Sequence, residues 1–386
     1  MPQRNLIHII PGNRMGGIQV YASDICRHYR DQNIPVIAIT RGARIIDSRL
    51  RKAGIEVRNA PLQGLADPWS IRELVKAIRS LPEGEMVIHT HRYRDAGMAV
   101  IARRLAKRPD VRIVTSRHTV RKGRDSVVFR TLYKYIDAHI FVSRLVFERF
   151  RRSWTNRAFP LPSDRIYILY NSLNLPDRYP VAEPERGAIT ALYHGPLAER
   201  KGLEHLIDAL ALLRDLRLRL MIAGNGHPDF LDRIRRRAAT RGVTDRIDWS
   251  LGTLPDADLM GKCHFGVVPS VESEAFGLGT LRYMAYGRAQ VATRSGAPTE
   301  FLDDGRTAIL VAADSASSLA DGIRRLAEDA DLRRNIASEA FNKFSTYFDW
   351  NSFISSLELI YYPSSHNLIT PYEAGSAPIP TAGNPS

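Results

Sequence analysis

Short apolar runs alternate with amphipathic stretches along most of the chain, and this pattern predicts strand after helix. In the first half Leu6–Ile10, Pro35–Thr40, Met86–His89, Val111–Thr115, Ala138–Val142 and Ile166–Leu169 read as strands. Helical periodicity runs through Gly17–Arg30, Ile45–Ala53, Pro68–Leu81 and Ala96–Ala106. Pro176–Gly187 is rich in proline and charge and has no apolar period, so it reads as a linker. A second series follows. Its strands are Ile189–Tyr193, Leu218–Ala223, Phe265–Val268, Gln290–Thr293 and Ala308–Val311. Its helices are Gly202–Leu213, Asp229–Gly242, Phe276–Tyr286, Ser315–Glu328 and Leu332–Phe348. Strand alternating with helix implies a parallel sheet covered on both faces. The expected plan is therefore α/β and doubled: one Rossmann-like domain over 1–175, a linker over 176–187, and a second domain over 188–345. A helical segment over 346–361 then packs back toward the first domain, and a polar tail over 362–386 is too poor in large apolar residues to fold.

Composition narrows the class. The 386 residues suit two domains of middle size, and 44% hydrophobic with 25% charged residues is enough to build two cores. A net charge of +14 favours anionic partners. It is concentrated between Arg92 and Arg130, where twelve arginines and lysines face only Asp95, Asp110 and Asp125. That stretch suits an anionic membrane surface. No nucleic-acid-binding motif accompanies it, so nucleic acid is not an expected partner. Cys26 and Cys263 share no metal or disulfide spacing. There is no secretory h-region and no run near the ~18 apolar residues of a spanning helix. The expected location is cytoplasmic, with peripheral contact at the inner face of the membrane.

The chemistry sits where strands give way to helices. Gly16-Gly17 follows the first strand and opens a helix, where free N–H groups can meet an anion. In the second half, Gly195 follows the first strand, and Lys201-Gly202 leads into a helix at the sheet's carboxyl edge, the usual ligand crevice of this architecture. The run Pro269-Ser270-Val271-Glu272-Ser273-Glu274-Ala275-Phe276-Gly277-Leu278 places two carboxylates before a helix start. Glu274 could accept from sugar hydroxyls, and the helix N–H groups could hold a diphosphate without a metal.

These segments, in this order, resemble the family-4 retaining glycosyltransferases (glycosyl transferases group 1) of GT-B fold, in which two Rossmann-like domains face each other across a cleft. The match rests on Gly16-Gly17, on "HTHRYRDAGMAVIA" and "RIVTSRHTV", on "YIDAHIFVS" and "LYNSL", and most specifically on "YHGPLAERKGLEHLIDAL" and "PSVESEAFGLGTLRYMAYGRAQVATRSGAPTEFLDDG". The resemblance implies a retaining transferase that moves a sugar from a nucleotide-sugar donor to a glycan or lipid-linked acceptor in cell-surface polysaccharide synthesis. Glu274, Lys201 and His118 would be its catalytic set. Glu274 would hold the donor sugar, Lys201 would neutralise the departing diphosphate, and His118 would lie beneath the sugar. Gly16, Gly17, Gly195, Phe276, Gly277, Leu278 and Arg282 would complete the donor site. No cofactor is implied, and no divalent metal, since no suitably placed Asp-x-Asp is present.

Two positions depart from the family pattern. Arg282 stands where E-x7-E has its second glutamate, and Pro196 stands where G-R-L has its arginine. The site has exchanged an anion for a cation at one place and lost a cation at another. Arg282 can supply the missing positive charge, because a guanidinium suits phosphate. The same departures define the alternative, a catalytically impaired binding or partner subunit. A sugar-nucleotide epimerase would share the fold but not the Glu274–Gly287 signature.

Overall fold

The computed structural model describes residues 3–13, 16–120, 127–153, 160–175, 184, 187–252 and 257–363. The chain divides into two compact units, one joining Met1–Asn171 to the segment that starts at Trp350, the other covering Ser172–Asp349. Apart from residues 184 and 187, the expected linker lies outside the described residues, as does the tail from 364 onward.

Unit 1 holds strands β1 (Arg4–Ile9), β2 (Val36–Thr40), β3 (Glu56–Asn59), β4 (Glu85–Thr90), β5 (Arg112–Arg117), β6 (Ala138–Phe141) and β7 (Ile166–Ile168). Between them run α1 (Gly17–Asp31), α2 (Arg44–Lys52), α3 (Pro68–Ser80), α4 (Tyr93–Ala106), α5 (Val127–Tyr133) and α6 (Arg144–Arg151). The local signals are ordinary. Asp67, for example, caps α3 by accepting from the N–H groups of Trp69 and Ser70, with Pro68 in the first turn. Unit 2 holds β8 (Ile189–His194), β9 (Leu218–Gly224), β10 (Ile247–Leu251), β11 (Phe265–Val268), β12 (Ala289–Thr293) and β13 (Ile309–Val311). Its helices are α7 (Leu203–Leu212), α8 (Pro228–Thr240), α9 (Ala257–Gly261), α10 (Leu278–Ala285), α11 (Ala316–Glu328) and α12 (Ala330–Tyr347).

Both sheets are parallel and share one plan. The orders are β3-β2-β1-β4-β5-β6-β7 and β10-β9-β8-β11-β12-β13. In each, the chain winds outward one way from the first strand and then returns to wind the other way. The reversal falls between β1 and β4 in unit 1 and between β8 and β11 in unit 2. Loops leaving the carboxyl ends of those strands diverge and open a crevice.

The sequence pattern missed β3 and β10. Both are edge strands of the form EVRN and IDWSL, without the continuous apolar character of their inner neighbours. It also started α10 too early. Phe276 and Gly277 precede the helix, because Gly277 is left-handed at φ 96° and ends the loop instead.

The last helix, α13 (Trp350–Tyr361), belongs to unit 1. Trp350, Phe353, Ile354, Leu357, Ile360 and Tyr361 fall on one face by the i, i+3, i+4 rule and join Leu6, Ile25, Tyr29 and Ala138 in a single core. Arg112 donates to the carbonyl of Ile360 at 2.9 Å, satisfying a C-terminal backbone group that no helical N–H can reach. Tyr362, assigned by composition to the tail, is buried in the same core and donates to the Asn5 carbonyl at 3.2 Å. Leu357→Ala is expected to destabilise unit 1 by about 2–5 kcal/mol, the cost of a buried leucine truncated in a packed core. Urea denaturation followed by circular dichroism reads this, and a loss under ~1 kcal/mol would mean α13 is only loosely seated.

Candidate active site

In unit 2 the crevice is built by three loops that bond to one another. Gly202 lets the first approach the second. It has φ 69°, and a Cβ there would stand 1.9 Å from the Pro269 carbonyl oxygen. The Arg200 carbonyl accepts from the N–H groups of Val271 (3.1 Å) and Glu272 (3.3 Å). The second and third loops pair as a short parallel bridge between Glu274 and Gly296, with Ala297 N–H donating to the Glu274 carbonyl at 2.9 Å. Ser295 and Thr293 each donate a side-chain hydroxyl to the second loop, to the carbonyls of Glu272 and Ser270, both at 2.6 Å. Phe276 turns into a cluster with Phe301 and Phe348 and is only 3% exposed. Its side chain anchors the loop, and what it can offer a ligand is backbone.

The two carboxylates of this loop separate. Glu272 is exposed. Glu274 is drawn inward, where it forms an ion pair with Lys201 and accepts from Ser270 Oγ at 2.6 Å. Burial works to raise the Glu274 carboxyl. The charge and hydrogen bond of Lys201, with Ser270 and the more distant Arg200, outweigh burial and hold it below the ordinary carboxylate range. The site therefore keeps a partly buried ionised acid against a partly buried ammonium.

The N-terminus of α10 lies next in sequence. Gly277 provides no side-chain cap and the first turn holds no acidic residue, so the N–H groups at Leu278 and beyond keep the affinity for an anion that helix starts possess. Arg282 is half-buried on the same helix. Its charge and that of Lys201 both act on His194, so the cation seen in the sequence at position 282 lies in the same neighbourhood as Lys201. Gly195 continues directly from His194 at the end of β8, with φ 145°. Pro196 is exposed, and its carbonyl accepts from Tyr193 Oη at 2.6 Å.

Sequence reasoning missed two residues here. Ser270 orients Glu274. His194 ends β8 with its ring 4.7 Å from that of Tyr283, and burial, reinforced by the Arg282 charge, pushes it down to about 3. The signal was its place at the carboxyl end of the central strand.

Unit 1 brings together its own predicted residues. Gly16 is extended and starts α1 without a side-chain cap or an acidic first turn, and Gly17 is the first helical residue. Gln19 folds back to donate to the Pro11 carbonyl and closes the loop from beneath. His118 follows β5 and hydrogen-bonds through Nε2 to Nδ1 of His91 at 3.1 Å. His91 in turn lies among His8 and His89. These three form the one group of metal-ligating side chains found among the described residues, their ligand nitrogens within 4.8 Å of one another.

The basic stretch from Arg92 is largely used internally. Arg92 forms a bidentate pair with Asp95, Arg103 pairs with Asp137 at 2.8 Å, and Arg108 pairs with Asp110 at 2.7 Å. Arg117 lies over the rings of Tyr93 and Phe150. Arg104 and Lys107 are exposed. Arg121, Lys122 and Arg124, and the side chain of Arg130, lie outside the described residues.

Comparison with known proteins agrees with both halves. Residues 15–175 match the family described as Glycosyltransferase Family 4, and residues 188–329 match Glycosyl transferases group 1. An uncharacterized glycosyltransferase of Methanocaldococcus jannaschii is 26% identical over 199 residues, which are 51% of this chain and 54% of that protein. A phosphatidyl-myo-inositol mannosyltransferase of Mycobacterium tuberculosis is 31% identical over 191 residues, 46% of this chain and 48% of that protein. The chain thus spans about half the length of these curated relatives. The crystal structure of Anabaena HepE in complex with UDP and glucose superposes with a TM-score of 0.77 at 17% identity, covering 92% of this chain and 98% of that one. At that identity the likeness is one of fold, the GT-B pairing of two Rossmann-like domains.

The Lys201–Glu274 pair makes a prediction about stability. A carboxyl held low in the folded state contributes stability at neutral pH that is lost as pH falls through its folded value. Lys201→Met leaves that carboxylate buried and unpaired, at a cost of about 3–5 kcal/mol. The deficit should shrink as pH is lowered from 7 toward 4, because Glu274 then takes up a proton. Urea melts of both proteins across that range read the difference, and a deficit independent of pH would show that the pair is not its source.

Proposed function

We propose that this chain, which belongs to the group 1, family-4 glycosyltransferases, transfers a sugar from a nucleotide-sugar donor to a glycan or lipid-linked acceptor with retention of anomeric configuration, in the building of cell-surface polysaccharide. The observation that carries the reading is the partly buried Lys201–Glu274 pair at the point of strand reversal in unit 2, one short loop from the uncapped start of α10.

Each part has a role that its chemistry permits. Glu274, fixed by Ser270, accepts hydrogen bonds from hydroxyls of the donor sugar. Lys201 and the N–H groups at Gly277 and Leu278 meet the diphosphate, and Arg282 supplies the cation that Pro196 does not. Gly195 leaves room beside them. As the bond from the anomeric carbon to the diphosphate oxygen breaks, negative charge grows on the leaving group, and these donors already point to where it grows. The acceptor hydroxyl oxygen bonds to the same face of that carbon, and its proton passes to the departing phosphate oxygen. Positive charge from side chains and helix N–H groups makes this reading independent of a divalent metal. In unit 1, His118 is read as a contact of the donor sugar, and Gly16 and Gly17 as a loop that closes on phosphate or acceptor.

The first experiment is a thermal-shift screen against UDP-, GDP-, ADP- and CMP-sugars, followed by calorimetric titration and turnover with the best of them. HepE with UDP and glucose makes UDP-glucose the first donor to try. Glu274→Gln should keep the fold and lose roughly 100-fold or more in transfer rate. Arg282→Glu restores the residue type common in the family, yet it should bind donor roughly 10- to 100-fold more weakly, the worth of one charge-assisted hydrogen bond. Tighter binding by Arg282→Glu overturns the compensating cation. Donor binding without turnover in the unmutated protein would identify the chain as a binding or partner subunit.

The acceptor reading includes an anionic membrane surface. Support comes from unit 1, where α3 and α4 flank a groove of about 530 Å³ lined by Ile71, Val75, Ile101 and Leu105 and edged by Arg72 and Arg79. Trp69 and Leu105 beside it are 65% and 56% exposed. An apolar floor with a cationic edge matches a bilayer of acidic lipid. The protein should sediment with acidic phospholipid vesicles at low salt, detach as salt rises, and bind less after Leu105→Glu. Equal binding to neutral vesicles would refute the charge-led contact.

A further inference from the structure

A continuous run of hydrogen bonds crosses the interior of unit 1 and ends at His118. His118 Nε2 meets His91 Nδ1 at 3.1 Å, and His91 Nε2 meets His8 Nδ1 at 3.4 Å. His8 Nε2 meets Tyr361 Oη at 3.2 Å. The same hydroxyl meets Nδ1 of His89, whose Nε2 meets Ser116 Oγ at 2.7 Å. The members come from the ends of β1, β4 and β5 and from α13, and all but His118 are at most 3% exposed. Among the described residues no hydrogen-bond partner reaches the remaining ring nitrogen of His118, Nδ1.

The rings are neutral. Burial pushes His8 and His118 down to about 3 and holds His89 and His91 well below the ordinary histidine value. A neutral imidazole has one N–H and one bare nitrogen, and a tyrosine hydroxyl has one proton. Each link therefore needs one donor and one acceptor, and this leaves two solutions. In one, Tyr361 donates to His89 Nδ1. His89 then donates from Nε2 to Ser116, His8 donates from Nε2 to Tyr361, His91 donates from Nε2 to His8, and His118 donates from Nε2 to His91. All four histidines carry hydrogen on Nε2, and His118 is left with a bare Nδ1. In the other, Tyr361 donates to His8 Nε2 and every link reverses. All four then carry hydrogen on Nδ1, and His118 ends as a donor. One mixture, with His8 and His89 both donating to Tyr361, strands the buried hydroxyl proton without an acceptor, and every other mixture sets two N–H groups or two lone pairs against each other; the interior penalises both.

We propose that Tyr361 is a positioning residue whose single hydroxyl proton ties His89 to His8, His91 and His118 in one common tautomer, so that the sense set at the Ser116 end of the run is the sense His118 offers at its outer nitrogen. The consequence for catalysis rests on the reading that His118 meets the donor sugar. Sugar hydroxyls can both give and take hydrogen bonds, so a fixed sense at His118 selects one hydroxyl orientation where a free ring would select none. A divalent cation among His8, His89 and His91 is the competing use of the cluster. It would need ring nitrogens that the run already occupies, since both nitrogens of His8, His89 and His91 are engaged in it.

The test is the ring tautomer of each histidine in the full-length protein labelled with nitrogen-15, read by long-range nitrogen–proton correlation at pH 7.5. Wild type should show all four histidines in the same tautomer, of either kind. Tyr361→Phe keeps a ring to stack on Tyr29, 5.7 Å away between centroids, and removes only the hydroxyl. In it His118 should become a mixture of both tautomers, and kcat should fall several-fold with donor KM nearly unchanged. Unlike tautomers in wild type, or an unchanged His118 tautomer in folded Tyr361→Phe, overturns the proposal. Should Tyr361→Phe fail to fold, Ser116→Ala carries the test: a tautomer change at His89 must then be matched at His118, and a change at His89 alone overturns it. A wild type that turns over no donor but shows one shared tautomer fails the transferase reading and supports the run.

Discussion

The constraint on which both units depend is the reversal of strand order inside a parallel sheet. A strand–helix–strand connection is right-handed, so a sheet wound outward from its first strand has a helix layer on one face only. To cover the other face the chain must return to the centre and wind the opposite way. At that one place neighbouring loops part, and neither sheet can be closed there by its own backbone. In each unit, therefore, side chains at the ends of the two strands that flank the reversal, β1 and β4 in unit 1 and β8 and β11 in unit 2, line a gap that the fold produces before any chemistry is chosen.

The two units fill that gap by opposite electrostatic means. Unit 2 uses full charges. An ammonium and a carboxylate are partly buried together, and each offsets much of the other's desolvation. The three loops around them are tied backbone to backbone, so the pair is held on a rigid frame. Unit 1 uses none. Its histidines are neutral and satisfied by one another, by a phenol and by a serine. A paired site stays polarised and suits a ligand that brings charge. A neutral run suits one that brings hydroxyls.

Much of this was legible in the sequence. Inner strands such as Phe265–Val268 carry enough apolar residues to be read without a structure, and the glycines at 16, 17, 202 and 277 mark loop-to-helix junctions. Two edge strands, β3 and β10, were not legible, because one side of each pairs with nothing and their residues, EVRN and IDWSL, are not apolar runs; the edge strands β7 and β13 keep apolar residues and were read. The choice of Glu274 over its neighbour rested chiefly on resemblance. Spacing does not distinguish it from Glu272, and what separates them is the inward turn made against Gly296. The histidine run was invisible for a different reason. Its members are far apart in sequence, from position 8 to position 361, and only the register of β1, β4 and β5 with the seating of α13 brings them into line. Among the arginines of the basic stretch, the pairing of Arg103 was equally hidden, since Asp137 lies outside the stretch that was counted.

The placement of α13 bears on how the protein comes into being on the ribosome. The strands of unit 1 are made before unit 2, yet the core of unit 1 includes a helix encoded after Ser172–Asp349. At about 5–20 residues per second, the intervening segment takes on the order of ten to forty seconds to emerge. Through that interval β1, α1 and β6 present a bare apolar face where Phe353, Leu357 and Tyr361 will lie. Unit 2 has no such debt and can fold while its elder neighbour waits. The order of completion is thus the reverse of the order of synthesis, and the half-built first unit is the species most exposed to chaperones, to proteases and to its own neighbours on the polysome.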